Sequence, residues 1–161
     1  MPDATTPDDM PFSRPVRVEN MGEVVMHFTL KADETQQRAL ARFLDVVAVD
    51  RLEAQLSVQK WKRRGILVEG NLIADVVQQC VVTLEPVPEH IEAPIRARYL
   101  PEADVLALEA EQSVEAYLND PEDPPEPYDE KLVDIGMLVI EFLALELNPY
   151  PRAPDAELQQ P

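Results

Sequence analysis

Taken at every second residue, the stretch 66–84 runs Ile66, Val68, Gly70, Leu72, Ala74, Val76, Gln78, Cys80, Val82, Leu84, and eight of these ten are apolar. The residues between them include Glu69, Asn71, Asp75, Gln79 and Thr83. An apolar period of two over this length commits the segment to β-structure with one buried face. Strands this long are uncommon, so the pattern predicts a bend near Gly70 or a break near Gln78 and Gln79. The rest of the chain must pair with this stretch or cover its apolar side.

Candidates for pairing lie on both sides. Leu52, Ala54, Leu56 and Val58 alternate with Arg51, Glu53, Gln55, Ser57 and Gln59, and Ile91, Ala93, Ile95, Ala97 and Tyr99 alternate with Glu92, Pro94, Arg96 and Arg98. Gly65 is placed to supply the positive φ of a hairpin turn between the first of these and the 66–84 stretch. Val24, Met26, Phe28 and Leu30 predict another strand. Residues 12–18 predict a short edge strand, because Pro15 cannot donate to a ladder on both sides.

Two helices are expected to cover the sheet. Asp33 and Gln36 stand at capping-box spacing, and Ala39, Leu40, Phe43, Leu44 and Val47 recur at helical intervals, which predicts a helix over about 34–46. Asp129 is a suitable N-cap for a second helix over about 130–147, with Leu132, Ile135, Leu138, Val139, Phe142, Leu143 and Leu145 spread over a wide apolar arc. Residues 100–119 admit a short helix around Val105, Leu106, Leu108 and Ala110, interrupted by acidic side chains. The resulting expectation is an α+β fold: a mainly antiparallel, strongly twisted or barrel-like sheet covered by an N-terminal and a C-terminal helix. One domain over 12–150 is expected, with disordered tails at 1–11 and 151–161 and an exposed, poorly ordered acidic Pro-rich loop at about 119–128.

Charge narrows the partners. Asp and Glu number 31 against 14 Lys and Arg, a formal net charge of −17. Residues 1–98 hold 12 basic and 15 acidic side chains, whereas 99–161 hold 2 and 16, so the balance moves from −3 to −14. Such a surface repels bare nucleic acid and anionic membranes as a whole, and phosphate binding requires a local patch. Residues 1–10 lack the features of a signal peptide, no apolar run reaches membrane-spanning length, and a single cysteine, Cys80, allows no intrachain disulfide. These features fit a cytoplasmic protein.

No catalytic or cofactor motif is present. Having only four glycines removes most phosphate-cradling loop motifs, and His27 and His90 have no cysteine or acidic partners at metal-ligand spacing. Cys80 falls on the inward register without basic neighbours in sequence, which suits a small buried hydrophobe better than a reactive thiolate. No catalytic residue, metal site or cofactor is therefore expected. The one cluster suited to binding is Lys60, Trp61, Lys62, Arg63 and Arg64, four cations around an aromatic at a hairpin tip, with Arg96 and Arg98 on one face of a strand that can lie nearby. Phosphate attraction with base stacking on Trp61 is its functional reading. The plain structural alternative is a solvated turn with Trp61 folded onto the body, or one screened by the acidic loop folding back.

Three segments carry a family resemblance. They are Phe12-Ser13-Arg14-Pro15-Val16; Cys80-Val81-Val82-Thr83-Leu84-Glu85-Pro86-Val87; and Val133-Asp134-Ile135-Gly136 followed by Glu141-Phe142-Leu143-Ala144-Leu145 and Asn148-Pro149-Tyr150-Pro151-Arg152-Ala153-Pro154. In this order and spacing they resemble the YceD family, the large ribosomal RNA subunit accumulation proteins, and the proline-rich ending most resembles alphaproteobacterial members. The resemblance implies a non-enzymatic bacterial factor supporting synthesis, processing or stability of large-subunit ribosomal RNA. Its implied partners are precursor large-subunit rRNA or a basic ribosomal protein. Many members carry a second cysteine three residues after the first, which has prompted suggestions of metal binding; here that position is Thr83, and a zinc site lacks its ligands. The alternatives are a small metal-binding or hydrolytic protein, and an acidic protein-interaction scaffold.

Overall fold

The computed structural model describes residues 11–111 and 125–153, the side chains of 109–111 excepted. The expected tails at 1–10 and 154–161 and the loop segment 119–124 lie outside the described residues. The elements in chain order are β1 (Pro15–Arg17), β2 (Met26–Lys31), α1 (Glu34–Leu44), β3 (Ala48–Trp61), β4 (Gly65–Gln79), β5 (Pro86–Pro101), α2 (Glu102–Glu111), β6 (Glu126–Tyr128), β7 (Leu132–Asp134) and α3 (Ile135–Glu146).

The main sheet has the order β2-β3-β4-β5-β6 and is antiparallel except for the short parallel pair of β5 and β6. It is open, with β2 and β6 at its edges, so the barrel-like closure expected from the sequence is not formed. β4 runs unbroken through Gly70 and stops at Gln79, the second of the two expected interruptions. Gly70 answers to a close approach: a Cβ there would lie 1.9 Å from the Gln55 carbonyl oxygen of β3.

Period-two patterning places the core on one face. Leu52, Leu56 and Val58 of β3, Ile66, Val68, Leu72 and Val76 of β4, and Ile91, Ala93 and Ile95 of β5 are buried there, and they belong to one cluster with the buried Leu40 of α1 and Ile135, Val139 and Leu143 of α3. Each large side chain buried in this way contributes about 1.5–3 kcal/mol. The opposite face carries Thr29, Gln55 and Asn71 in register and is polar, as an antiparallel sheet covered on one side allows. The inward register ends where β4 ends. Cys80 is fully buried, but Val82 and Leu84, expected inside, are exposed because the chain turns at 81–83.

α1 starts with the expected capping box, in which the Asp33 carboxylate accepts from the Gln36 N–H and the Gln36 side chain accepts from the Asp33 N–H. It ends at Leu44, two residues earlier than the periodicity suggests. Asp45 takes the left-handed conformation (φ 58°) and returns its N–H to the helix carbonyls.

The C-terminal helix starts later than expected. Asp129 instead closes a turn, accepting from the N–H groups of Lys131 (2.8 Å) and Leu132 (3.1 Å). Residues 132–134 then pair antiparallel with β1, and Asp134 caps α3 by accepting from the Met137 N–H. Leu132 and Leu145, assigned to the apolar arc, are exposed. Part of the expected acidic loop is ordered too, since Pro125 is buried and Glu126–Tyr128 form β6. Pro151, assigned to the fraying tail, is buried and its carbonyl accepts from the Val81 N–H.

Asp134 also fastens the start of the chain. Its carboxylate accepts from the Arg14 N–H and the Ser13 hydroxyl, and Ile135 N–H donates to the Arg14 carbonyl. Gly136 admits this strap, because a Cβ there would lie 1.8 Å from the Phe12 carbonyl oxygen. Gly136→Ala should therefore unseat residues 12–14 from α3. The expected loss is about 1–3 kcal/mol of unfolding free energy, the usual cost of overpacking. Urea denaturation measures it, and an unchanged midpoint would show that the strap contributes nothing.

Candidate nucleic-acid interface

The β3–β4 hairpin closes on the pair Trp61 and Gly65, leaving Lys62, Arg63 and Arg64 as its loop. The positive φ comes from Lys62 (φ 58°), not from Gly65 as the sequence suggests. Gly65 is required for space: a Cβ would lie 2.5 Å from the Trp61 carbonyl oxygen and 2.8 Å from that of Tyr99.

The strand register assembles the tip. Gln59 faces Leu67, and Leu67 faces Arg98, so Arg98 shares a sheet face with Trp61, two residues beyond Gln59. The Arg98 guanidinium and the Lys62 ammonium each lie 5.1 Å from the centre of the half-buried Trp61 ring. Such cation–π contacts are worth about 0.5–1 kcal/mol where exposed. They flank the indole at the tip with two cations. Lys60, Lys62 and Arg63 are exposed, and neither Lys60 nor Arg63 makes an ion pair among the described residues.

The other two candidate arginines are engaged by carboxylates. Arg64 binds Glu130 through two parallel hydrogen bonds of 3.1 and 3.0 Å and lies 3.7 Å from Asp104, while the Tyr128 hydroxyl donates to its carbonyl at 2.7 Å. The Glu130 hydrogen bonds raise the Arg64 pKa, and the same contact holds the Glu130 carboxyl below its ordinary value. Arg96 pairs with Glu69 on the adjacent strand. The structure thus brings Lys62 and Arg98 to Trp61 on one face of the tip; Arg63 lies in the same loop, Lys60 points to the opposite face of β3 with Val58 and Ile66, and Arg64 and Arg96 are engaged by acidic side chains.

A second polar cluster was not visible in the sequence. His90 lies opposite Asp75 in the β4–β5 register, and its ring nitrogens sit 2.6 Å from Asp75 and 2.8 Å from Glu92. Hydrogen bonding to Asp75, then to Glu92, raises the His90 pKa and favours the doubly protonated imidazolium. The signal was available in the strand register, since residues 90 and 92 alternate onto the face that also carries Asp75.

Cys80 is buried, as its register suggests, yet its sulfur is polar in its contacts. Burial pushes the thiol up, but hydrogen bonds from the Thr83 side chain and from the backbone of Ala153, Thr83 and Val82 outweigh it and hold the pKa at about 6. The Val82 and Thr83 N–H groups each approach Sγ to 3.3 Å. This arrangement does not fit a zinc ligand set: there is one thiol, and backbone donors surround it. Among the described residues no group of three or more His, Cys, Asp or Glu side chains could hold a metal ion. The ultraviolet thiolate absorbance of the folded protein should titrate with a midpoint near 6. Thr83→Val should move that midpoint upward. A midpoint at the ordinary thiol value of about 8.5 would show that the hydrogen bonds do not stabilise the anion. Because the folded pKa is depressed, the stability this group contributes is complete above the unfolded thiol pKa and is lost as pH falls through about 6.

No helix among the described residues is long and apolar enough to cross a membrane. Neither the curated proteins nor the solved structures include a match to this chain. The sequence model of one family, described as large ribosomal RNA subunit accumulation protein YceD, matches residues 68–161. The match begins inside β4, so it contains Arg96, Arg98, the 80–84 turn and α3, whereas residues 60–64 precede it. It covers more than half of the sequence and includes two of the three segments that carry the resemblance, so the chain belongs to the YceD family.

Proposed function

We propose that this protein supports the accumulation of large-subunit ribosomal RNA by binding, without a chemical step, and that it contacts unpaired precursor RNA at the β3–β4 tip in the bacterial cytoplasm. Family membership supports the process. The observation that supports the contact is the grouping of Trp61 with Lys62 and Arg98, with Arg63 exposed in the same loop and Lys60 exposed across the edge of β3. An aromatic ring among cations suits single-stranded RNA, where a base stacks and phosphates pair with the flanking charges.

The net charge of −17 does not preclude this. At physiological ionic strength the screening length is about 8 Å, so exposed acidic groups farther away than that act only weakly on the tip. Two acids that reach the tip, Glu130 and Asp104, are turned onto Arg64.

Replacing Lys60, Lys62 and Arg63 together with Gln should flatten the dependence of log affinity on log salt by about two, given a slope of roughly 0.7 per phosphate contact for single strands. Trp61→Ala should weaken binding by about 1–3 kcal/mol and leave the slope nearly unchanged. Filter binding of an unpaired precursor-rRNA fragment at stepped salt measures both. In cells depleted of the protein, mature large-subunit RNA should fall relative to small-subunit RNA, and the triple variant should fail to restore it. A triple variant with the wild-type slope would remove the tip from the mechanism.

A further inference from the structure

We propose that the 80–84 turn, together with Tyr150, is a docking surface for a basic segment of another protein that carries apolar side chains. Turns in proteins are ordinarily built from Gly, Pro, Asn, Asp and Ser. This one presents Val81, Val82 and Leu84 to solvent at 50%, 44% and 65% exposure, and Tyr150 beside it at 70%. The Val81 N–H donates to the Pro151 carbonyl at 2.9 Å, which brings the Tyr150 segment against the turn. Contiguous apolar side chains exposed in this way mark interaction sites.

The turn is also held rigidly in a conformation its sequence does not favour. Leu84 has φ 66°, in the left-handed region where a leucine is strained. Hydrogen bonds on both sides keep it there: Cys80 N–H to the Glu85 carbonyl (2.7 Å), Leu84 N–H to the Cys80 carbonyl (2.9 Å), and the two N–H groups on the Cys80 sulfur. A surface fixed before the partner arrives loses less conformational freedom on binding.

Charge selects the occupant. Glu85 is exposed at the end of the turn and Glu89 is bound to Gln78 at its edge, against Arg152 beyond Pro151. A second copy of this chain would bring the same carboxylates against Glu85 and Glu89, and the phosphates of RNA or of an anionic membrane would likewise be repelled by them. A basic polypeptide is attracted, and its apolar side chains cover the valines and the leucine. β4 has 15 residues and separates this turn from the tip by about 50 Å at 3.3 Å per residue. The two surfaces are therefore occupied independently, and this inference does not depend on RNA binding at the tip.

The test compares two synthetic peptides of equal length and charge by fluorescence anisotropy, an amphipathic lysine–leucine peptide and a lysine–serine peptide. The wild-type protein should bind the first at least about tenfold more tightly. The variant Val82→Ser with Leu84→Asn should lose that preference. Its melting temperature should not fall, because asparagine tolerates the left-handed conformation that strains leucine. The Lys60, Lys62 and Arg63 triple variant should keep the preference. Equal binding of both peptides by the wild-type protein, or a preference that survives in the Val82→Ser, Leu84→Asn variant, would overturn the proposal. So would a wild-type dimer that these two substitutions dissociate in sedimentation, since the occupant would then be a second copy.

Discussion

β4 is paired along both edges and buried on one face, and the placement of the other elements follows from it. Its pairing with β3 extends from Val77 to Gly65, and its pairing with β5 from Gln79 to Ile66. A slip of one residue would carry Leu72, Ala74 and Val76 to the polar face, so burial fixes the register strongly. That register in turn decides the surface chemistry. It brings Arg98 to the side of Trp61, Arg96 to Glu69, and His90 to Asp75. Core packing and the arrangement of the outer charges are thus set by one constraint.

The second organising feature is the chain from Val133 to Ala153, which touches both ends of the fold. Through Asp134 and Gly136 it holds residues 12–14. Through Asn148 and Pro151 it reaches Gln78 and Val81 at the far end of β4. The three segments that carry the family resemblance, far apart in sequence, therefore meet in space. A backbone contact explains Gly136, a shared carboxylate explains Asp134, and hydrogen bonding to sulfur gives Cys80 a role that its burial alone does not.

The charge asymmetry of the sequence acquires a geometry in the fold. Acidic residues from the C-terminal part, Asp104 and Glu130, meet the hairpin tip but engage only Arg64. The bidentate contact orients that guanidinium away from the role of a phosphate ligand and anchors the loop. The tip and the apolar turn stand at opposite ends of the same strand; under the two proposals above, one would take an anionic polymer and the other a cationic one, so the two partners would not compete.

What the sequence determined by itself was periodic and local. The two-residue alternation specified β3, β4 and β5 and their buried residues, and Asp33 with Gln36 specified the start of α1, because these signals depend on near neighbours in the chain. Local signals pointed to Asp129 as the cap of the C-terminal helix, and the pairing of residues 132–134 with β1 moved the helix start to Asp134. The same holds for β6, for the outward turn at 81–83, and for the contact of Arg64 with Glu130 across 66 residues of sequence. These features come from long-range pairing, in which the strand register and the return of the chain choose among partners that composition and spacing alone cannot distinguish.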